Sequence, residues 1–196
     1  MLIGITGGIG SGKSVLCDVA RDMGFYVISA DKIGHDILRK GSSAYNEVVE
    51  IFGEGILSEN GEIDRKKLGR LVFSDKEKLM LLNKITHKRI TEEICDIISS
   101  RRGEVIVLEA AILHESGLSE KCDVVIAVVA PENVRLQRIL KRDLLSQPEA
   151  VQRIRSQKSN DFYRKNADYT IQNNGDMEKL IAEGTKIFKE VANGKV

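Results

Sequence analysis

The sequence predicts a three-layer α/β fold, in which helices cover both faces of a parallel β-sheet. Near the N-terminus an apolar segment, a glycine-rich turn and a helical segment follow one another, and a second apolar segment comes soon after. This strand–helix–strand order with a short crossover implies a parallel sheet. The later apolar runs are continuous rather than alternating, as expected for strands buried on both faces. Helical sequence over residues 32–102, between the second and third strands, predicts an inserted helical subdomain.

The glycine-rich turn at residues 7–14 reads Gly-Gly-Ile-Gly-Ser-Gly-Lys-Ser and matches the Walker A pattern of P-loop NTPases. In that loop the glycines let backbone N–H groups point at phosphate oxygens, and the following helix presents its positive dipole end to the same anion. We expect Lys13 to reach the β- and γ-phosphates of a nucleotide and the Ser14 hydroxyl to hold Mg²⁺. The predicted cradle consists of Gly8, Gly10, Ser11, Gly12, Lys13, Ser14 and Val15.

The composition narrows the class of protein. A chain of 196 residues is long enough for one α/β domain with insertions. Its net charge is +1, from 30 basic and 29 acidic residues, so no overall field favours nucleic acid or an anionic membrane. The three cysteines lie far apart without metal-ligand spacing, which predicts isolated buried thiols in a reducing compartment. Neither a signal peptide nor a membrane span is predicted, so we expect a cytoplasmic location.

The remaining elements follow from apolar periodicity and turn signals. Further strands are predicted at residues 25–28, 105–108, 124–129 and 169–171. Further helices are predicted at residues 32–40, 45–52, 68–73, 76–100, 132–141, 148–158 and 177–191. We therefore predict a single domain with a core, a helical insert that would bind the acceptor of a kinase, and a helical lid. The core comprises residues 1–31, 103–131 and 166–196, the insert residues 32–102 and the lid residues 132–165.

Asp31 follows the second predicted strand, at the sheet edge where parallel sheets bind their ligands. A kinase needs a carboxylate that orients or deprotonates the attacking hydroxyl, so Asp31 is the candidate general base. An acidic residue about 20 positions after a glycine-rich turn also binds ribose in dinucleotide folds. The Lys13–Ser14 pair and the spacing of the loop glycines argue against this alternative, because a dinucleotide site needs neither. A helix-capping role for Asp31 is compatible with catalysis.

Three arginines near the predicted lid share one helix face, because Arg135, Arg138 and Arg142 are spaced i, i+3 and i+7. Facing the nucleotide, they would neutralise charge that develops on the transferred phosphoryl group. The loop at residues 143–147, between two charged helices, suggests a lid that closes over ATP. We expect Arg142 to act in catalysis and Arg138 to bind ATP with it, ahead of Arg135. A solvated basic helix is the alternative.

Glu109 ends a buried strand, like the carboxylate that follows a Walker B strand. The sequence is compatible with two roles for Glu109, an indirect contact with Mg²⁺ and a structural hydrogen bond. Whether Glu109 or Asp31 lies nearer the metal stays open. In the insert, Arg65 and His87 taken alone are more often structural or solvated. The sequence indicates no partner for His35 or His114, and we expect structural roles for both.

Beyond the Walker A pattern, an ordered set of residues resembles the dephospho-CoA kinase family over almost the whole chain. Thr6 and the phosphate loop match that family's loop, including positions outside the general motif. The other matching positions are Ala30, Asp31, Ile33, His35, Leu38, Phe52, Gly53, Gly61, Ile63, Asp64, Arg65, Leu68, Phe73, Ile85, Thr86, His87, Leu113, Glu115, Gly117, Arg138, Arg142, Asp143, Ala150, Arg153, Ile154, Gln157, Ala167, Asp168, Asn173, Asn174 and Gly175. Two positions depart from the family pattern, because Lys88 and Ala111 stand where the family usually has proline.

The resemblance implies ATP-dependent phosphorylation of the ribose 3′-hydroxyl of dephospho-CoA, the last step of coenzyme A synthesis. It implies Asp31 as the base, Arg65 and His87 as acceptor-site residues and Arg142 at the phosphates, with Asn174 near adenine. The implied cofactors are ATP and Mg²⁺. The expected partners are the small molecules ATP and dephospho-CoA, without nucleic acid or membrane, and the protein is expected to be a monomer or a small homo-oligomer.

Two other functions stay open on the residues alone. Another small-molecule or nucleoside monophosphate kinase of the same fold would use arginines in the insert to hold a phosphorylated acceptor. The number of arginines in the insert does not exclude such a kinase, because the insert contains Arg39, Arg65, Arg70, Arg89, Arg101 and Arg102. A nucleotide-dependent switch would need a residue that positions a hydrolytic water, and the sequence indicates none. Asp31 and the lid arginines favour phosphoryl transfer.

Overall fold

A computed structural model describes residues 1–143 and 145–194. Within these residues a five-stranded sheet has the order β2-β3-β1-β4-β5, and every neighbouring pair is parallel. The strands are β1 (Leu2–Thr6), β2 (Tyr26–Ser29), β3 (Ile106–Glu109), β4 (Val124–Val129) and β5 (Tyr169–Gln172). The predicted parallel sheet of a three-layer α/β fold is confirmed.

The helices of the described residues are numbered in chain order. They are α1 (Lys13–Asp22), α2 (Ala30–Asp36), α3 (Tyr45–Phe52), α4 (Arg65–Phe73), α5 (Lys76–Ser100), α6 (Glu132–Arg142), α7 (Gln147–Arg155), α8 (Asn160–Lys165) and α9 (Met177–Ala192). Short 3₁₀ turns occupy Glu54–Ile56 and Leu118–Lys121. Polar side chains define several helix starts, since Asp64, Asp75 and Asp176 each accept hydrogen bonds from backbone N–H groups in the first turn.

The chain forms two compact units, of which the first contains Met1–Ser29 and the chain from Gly103 onward. Alternate residues of β4 face opposite sides of its sheet. On one side Ile126 packs in a core with Leu16 of α1 and Phe188 of α9. On the other side Val129 packs with Tyr163 of α8. Both faces of the sheet are therefore covered, which explains why its strands read as continuous apolar runs.

The second unit, Ala30–Arg102, contains α2 to α5 and has an apolar core of its own. The buried residues of this core are Ile37, Ala44, Tyr45, Val48, Ile56, Ile63, Leu68, Val72 and Ile85. Helix α5 has the predicted bounds, while α4 begins at Arg65, three residues before the predicted start. The earlier start follows from Asp64, whose carboxylate caps the helix by accepting from the N–H groups of Lys66 and Lys67.

Three local predictions need correction. Helix α2 begins at Ala30 rather than Lys32, so that Asp31 lies in its first turn, and it ends at Asp36 rather than Lys40. Helix α7 ends at Arg155 rather than Lys158. The short helix α8 was missed, although Ser159 gives the signal for it by accepting a hydrogen bond from the N–H of Phe162. Residue 144 of the predicted lid and residues 195–196 of the predicted core lie outside the described residues.

Candidate active site

The predicted phosphate loop joins the carboxyl end of β1 to the first turn of α1. Gly10 and Gly12 adopt positive φ angles of 75° and 110°, which glycine reaches without the steric cost of a side chain. Because α1 begins at Lys13, its N-terminal N–H groups and dipole end lie at the loop. The buried Oγ of Ser11 has no hydrogen-bond partner among the described residues. Buried hydroxyls are seldom left unpaired, which favours a ligand or water contact at this atom.

Lys13 is 9% exposed and its ammonium group lies within the loop. Nζ donates to the carbonyl of Gly7 at 2.9 Å and lies 3.8 Å from Oε1 of Glu109. The other carboxylate oxygen of Glu109 accepts a hydrogen bond from Oγ of Ser29 at 3.0 Å. Ser29 and Glu109 are register partners at the ends of β2 and β3, and β3 pairs with β1 on its other side. Sheet topology therefore places the carboxylate of Glu109 beside the phosphate-loop lysine. The same carboxylate also makes a structural hydrogen bond with Ser29.

Two arginines of α6 donate hydrogen bonds to backbone carbonyls of the loop. Arg135 is 4% exposed, and its Nε donates to the carbonyl of Ile9 at 2.8 Å. Arg138 donates from Nη1 to the carbonyls of Gly10 at 3.0 Å and Ser11 at 3.2 Å. Burial lowers the pKa of both guanidinium groups. Of the three arginines expected to share a face, these two are held against the loop backbone.

Arg142 is placed differently from Arg135 and Arg138. Its side chain is 61% exposed, and its guanidinium pairs with the carboxylate of Asp143, with Nε 2.8 Å from Oδ1. This pairing raises the pKa of Arg142 and lowers that of Asp143. The ion pair is on the surface, where such pairs contribute little to stability, so the side chain is not fixed strongly in this position.

The turn after β5 contains a functional candidate that the sequence reasoning missed. Asn173 is 2% exposed, and its Nδ2 donates to the carbonyl of Ser11 at 2.7 Å while its Oδ1 accepts from Nη2 of Arg138 at 2.8 Å. Its neighbour Asn174, which the sequence singled out, is exposed and accepts a hydrogen bond from Nε2 of Gln172. The Asn-Asn-Gly signal marked this turn in the sequence, but only the structure separates the buried asparagine from the exposed one.

The second unit carries the predicted acceptor-side residues. Asp31 is exposed in the first turn of α2, and Arg65 is exposed at the first position of α4. The guanidinium of Arg65 contacts Nδ1 of the His35 ring and donates to the His35 carbonyl at 3.0 Å. His35, for which the sequence indicated no partner, is therefore in contact with a predicted site residue. His87 is half-buried in the middle of α5.

The donor atoms of the loop region fit a Mg²⁺ ion. Ser14 is exposed in the first turn of α1, and the carboxylate of Glu109 lies beside Lys13. Hydroxyl, carboxylate and phosphate oxygens are the ligands that Mg²⁺ prefers, and the ion usually takes only one or two of them from the protein. Within residues 1–143 and 145–194 there is no group of three His, Cys, Asp or Glu side chains arranged for a metal. A metal bound here would therefore take much of its coordination from the nucleotide.

A parallel sheet with this strand order, a Walker A loop leading into α1, and a loop lysine beside a strand-end carboxylate together define a P-loop NTPase, the class that contains the P-loop kinases. The family model for dephospho-CoA kinase matches residues 1–179 of the chain. The chain belongs to the dephospho-CoA kinase family.

Individual relatives agree with this assignment. The dephospho-CoA kinase of Aquifex aeolicus is 41% identical over 190 residues, which cover 96% of each chain. A solved structure of dephospho-CoA kinase from Campylobacter jejuni is 32% identical, with a TM-score of 0.75 over 100% of this chain and 98% of the other. Shikimate kinase from Acinetobacter baumannii, at 20% identity and a TM-score of 0.54, covers 100% of this chain and 94% of the other and shares the fold.

Among the helices of the described residues, none combines the length and the apolar composition that a membrane span requires.

Proposed function

We propose that the chain transfers the γ-phosphoryl group of ATP to the ribose 3′-hydroxyl of dephospho-CoA, which gives coenzyme A. Family membership over residues 1–179 supports the substrate, and the position of Lys13 in the phosphate loop supports the chemistry. The observation that carries the proposal is the buried Lys13 ammonium, held between the Gly7 carbonyl and Glu109 at the N-terminus of α1.

The donor half of the reaction follows from the loop. Its backbone N–H groups and the N-terminus of α1 bind and orient the phosphates, and Lys13 places a positive charge beside the β- and γ-phosphates. Ser14 would hold Mg²⁺, and the carboxylate of Glu109 would add negative charge that favours the cation. A Mg²⁺ ion held there would supply positive charge that offsets the negative charge developing on the phosphates during transfer. The cradle residues Gly8, Gly10, Ser11, Gly12 and Val15 complete this half.

The acceptor half rests on position in the chain. Asp31 comes two residues after the end of β2, and parallel sheets bind ligands at the carboxyl ends of their strands. In the proposed reaction its carboxylate accepts or orients the proton of the 3′-hydroxyl as the oxygen attacks the γ-phosphorus. Arg65 and His87 bind the acceptor, and the contact between Arg65 and His35 limits the orientations available to this guanidinium.

We assign the segment 132–165 as a lid over ATP and residues 32–102 as the acceptor subdomain. Arg142, whose surface ion pair with Asp143 is weak, would exchange that partner for the phosphates of ATP when the lid closes. In this proposal Arg138 binds ATP on its phosphate side, and Asn174 lies near adenine.

We further propose that the protein is a cytoplasmic monomer or small homo-oligomer that binds no nucleic acid, in keeping with its net charge of +1.

A coupled assay of ADP release tests the proposal. The protein is supplied with ATP and Mg²⁺ and then with dephospho-CoA, adenosine or a nucleoside monophosphate as the acceptor. Dephospho-CoA should stimulate ADP release, and the product should carry phosphate at the ribose 3′ position by mass spectrometry and NMR. Stimulation by a nucleoside monophosphate with none by dephospho-CoA would overturn the substrate. ATP hydrolysis that no acceptor stimulates would favour a nucleotide switch.

A further inference from the structure

Both peptide groups around Ile9 in the phosphate loop are held by side chains from outside the loop. Arg135 donates through Nε to the carbonyl of Ile9 at 2.8 Å. Gln157, in the segment after α7, accepts from the N–H of Ile9 at 2.7 Å through its Oε1. The same Oε1 accepts from Nη2 of Arg135 at 3.0 Å, so the two side chains form one unit. We call this unit the Arg135–Gln157 clamp.

The clamp fixes the direction of the Gly8 carbonyl and the Gly10 N–H, which share peptide groups with Ile9. In a trans peptide the carbonyl of one residue and the N–H of the next point in opposite directions. Because Arg135 holds the Ile9 carbonyl, the N–H of Gly10 points away from the clamp. Because Gln157 holds the Ile9 N–H, the carbonyl of Gly8 also points away from the clamp, where it accepts from Nζ of Lys13 at 3.5 Å and from the N–H of Ser11 at 3.1 Å.

The charge of Arg135 also points to a role at the loop. A buried cation is costly when neutral groups alone surround it. The hydrogen-bond acceptors of Arg135 are the neutral Ile9 carbonyl and Gln157 amide, and among the described residues Glu132 acts on its charge without a hydrogen bond to it. Burial lowers the pKa of its guanidinium. A positive charge in this position is complementary to a polyphosphate held by the loop.

Close packing between the clamp and the loop explains a glycine that the backbone does not require. Gly8 does not have a positive φ, so its conformation is open to alanine. A Cβ on Gly8 would lie 2.3 Å from Nη2 and 2.5 Å from Cζ of Arg135. The loop and the guanidinium would have to separate by about 1 Å to reach normal contact. The absence of a side chain at Gly8 therefore leaves the space that the Arg135 guanidinium occupies.

We infer that Arg135 and Gln157 are positioning residues, which hold the phosphate loop in the conformation that binds ATP. This inference rests on the proposed function, since it takes ATP as the ligand of the loop. Arg135 acts through the loop backbone in this role, whereas the sequence suggested it as the weakest of three lid arginines. The clamp also connects the lid segment to the loop, because Arg135 lies on α6 and Gln157 follows α7.

A double-mutant cycle tests the inference. The variants are Gly8→Ala, Arg135→Met and both together, and the measurements are the Kd and KM for ATP, kcat, and the midpoint of urea unfolding. Gly8→Ala should raise the Kd for ATP about tenfold or more, because a displacement of about 1 Å at a site of this kind is costly. Arg135→Met removes the atoms that clash, so adding Gly8→Ala to it should change the Kd less than about threefold. Equal effects of Gly8→Ala in both backgrounds, or no effect in either, would overturn the inference.

Two controls and a second variant make the result specific. Gly55 does not have a positive φ, and a Cβ added to it would meet no atom within 4 Å. Arg21 is an exposed arginine paired with Asp18. Gly55→Ala and Arg21→Ala should therefore leave the Kd for ATP unchanged. If Arg135→Met does not fold, Gln157→Leu removes the shared acceptor and should raise the KM for ATP several-fold while the KM for dephospho-CoA stays the same.

The split between KM and kcat separates positioning from a loss of folded protein. A purely structural defect would lower the apparent kcat through the active fraction and leave the KM for ATP unchanged. That pattern in Gln157→Leu would refute the inference. The proposed function is tested separately by the unaltered protein: absence of ATP binding there would contradict the function, whereas normal binding with an uncoupled cycle would contradict only the clamp.

Discussion

Asn173→Ala is the substitution whose effect follows most directly from the described contacts. Asn173 is buried, and its amide joins the carbonyl of Ser11 at 2.7 Å to Nη2 of Arg138 at 2.8 Å. Alanine removes both bonds, together with the longer bond from the N–H of Gly175 to Oδ1 at 3.3 Å, and leaves the Ser11 carbonyl with Nη1 of Arg138 at 3.2 Å as its side-chain donor. A neutral bond of this kind contributes about 1 kcal/mol and one to a charged group about 2 kcal/mol, so the free energy of unfolding should fall by about 3 kcal/mol.

Urea unfolding followed by circular dichroism measures this loss, which corresponds to a decrease in Tm of roughly 6–12 °C for a domain of this size. The matched control is Asn174→Ala, one residue further on. Because Asn174 is exposed, that variant should lie within about 0.5 kcal/mol of the unaltered protein. If Asn173→Ala loses less than about 1 kcal/mol, or if the two variants lose equal amounts, the structural distinction between the neighbouring asparagines is wrong.

Three further predictions concern catalysis and pH. Lys13→Ala should lower ATP turnover by orders of magnitude while the far-UV spectrum stays that of a folded protein; near-normal ADP release would contradict the kinase mechanism. Asp31→Asn should lower kcat far more than it raises the KM for ATP, and an unchanged kcat would exclude it as the base. Burial raises the pKa of the Cys17 and Cys122 thiols to about 12, so the free energy of unfolding should fall as the pH rises from about 9 toward 12.

The sign of the pH effect follows from linkage. A thiol whose pKa is higher in the folded than in the unfolded protein stabilises the fold fully below the unfolded pKa, and the contribution is lost as pH rises through the folded value. Urea unfolding between pH 7 and 10.5 measures the trend. Replacing Cys17 and Cys122 by alanine should flatten it, and an equal slope in that variant would show that other groups cause the alkaline loss.

Much of the fold could be predicted because its signals are local. The strand at residues 124–129 is a continuous apolar run, and the helix at residues 76–100 has apolar residues at helical spacing; both have the predicted bounds. Boundaries set by capping side chains were predicted less well. The start of α4 depends on Asp64, and the separation of α7 from α8 depends on Ser159, both of which are single polar residues in polar surroundings.

The candidate site divides in the same way. The proposed site residues Lys13, Ser14 and Asp31 could be predicted because a motif or a strand end marks each of them. The side chains that hold the loop backbone could not be predicted, because hydrogen bonds between distant segments leave no periodic pattern in the sequence. Asn173 contacts a carbonyl 162 positions earlier, and Arg135 contacts one 126 positions earlier. Such contacts exist only after the sheet has brought the ends of β1 and β5 to one edge.

The sequence alone thus determined the fold class, the phosphate loop and the family resemblance, because each depends on residue types at short, fixed spacings. Tertiary structure decided which polar side chains face the loop. Along α6 it buries Arg135 and holds Arg138 against carbonyls, yet leaves Arg142 exposed. The three arginines look alike in sequence. They differ because burial of a charged group depends on the acceptors available at one place in the fold, and helix periodicity does not specify those acceptors.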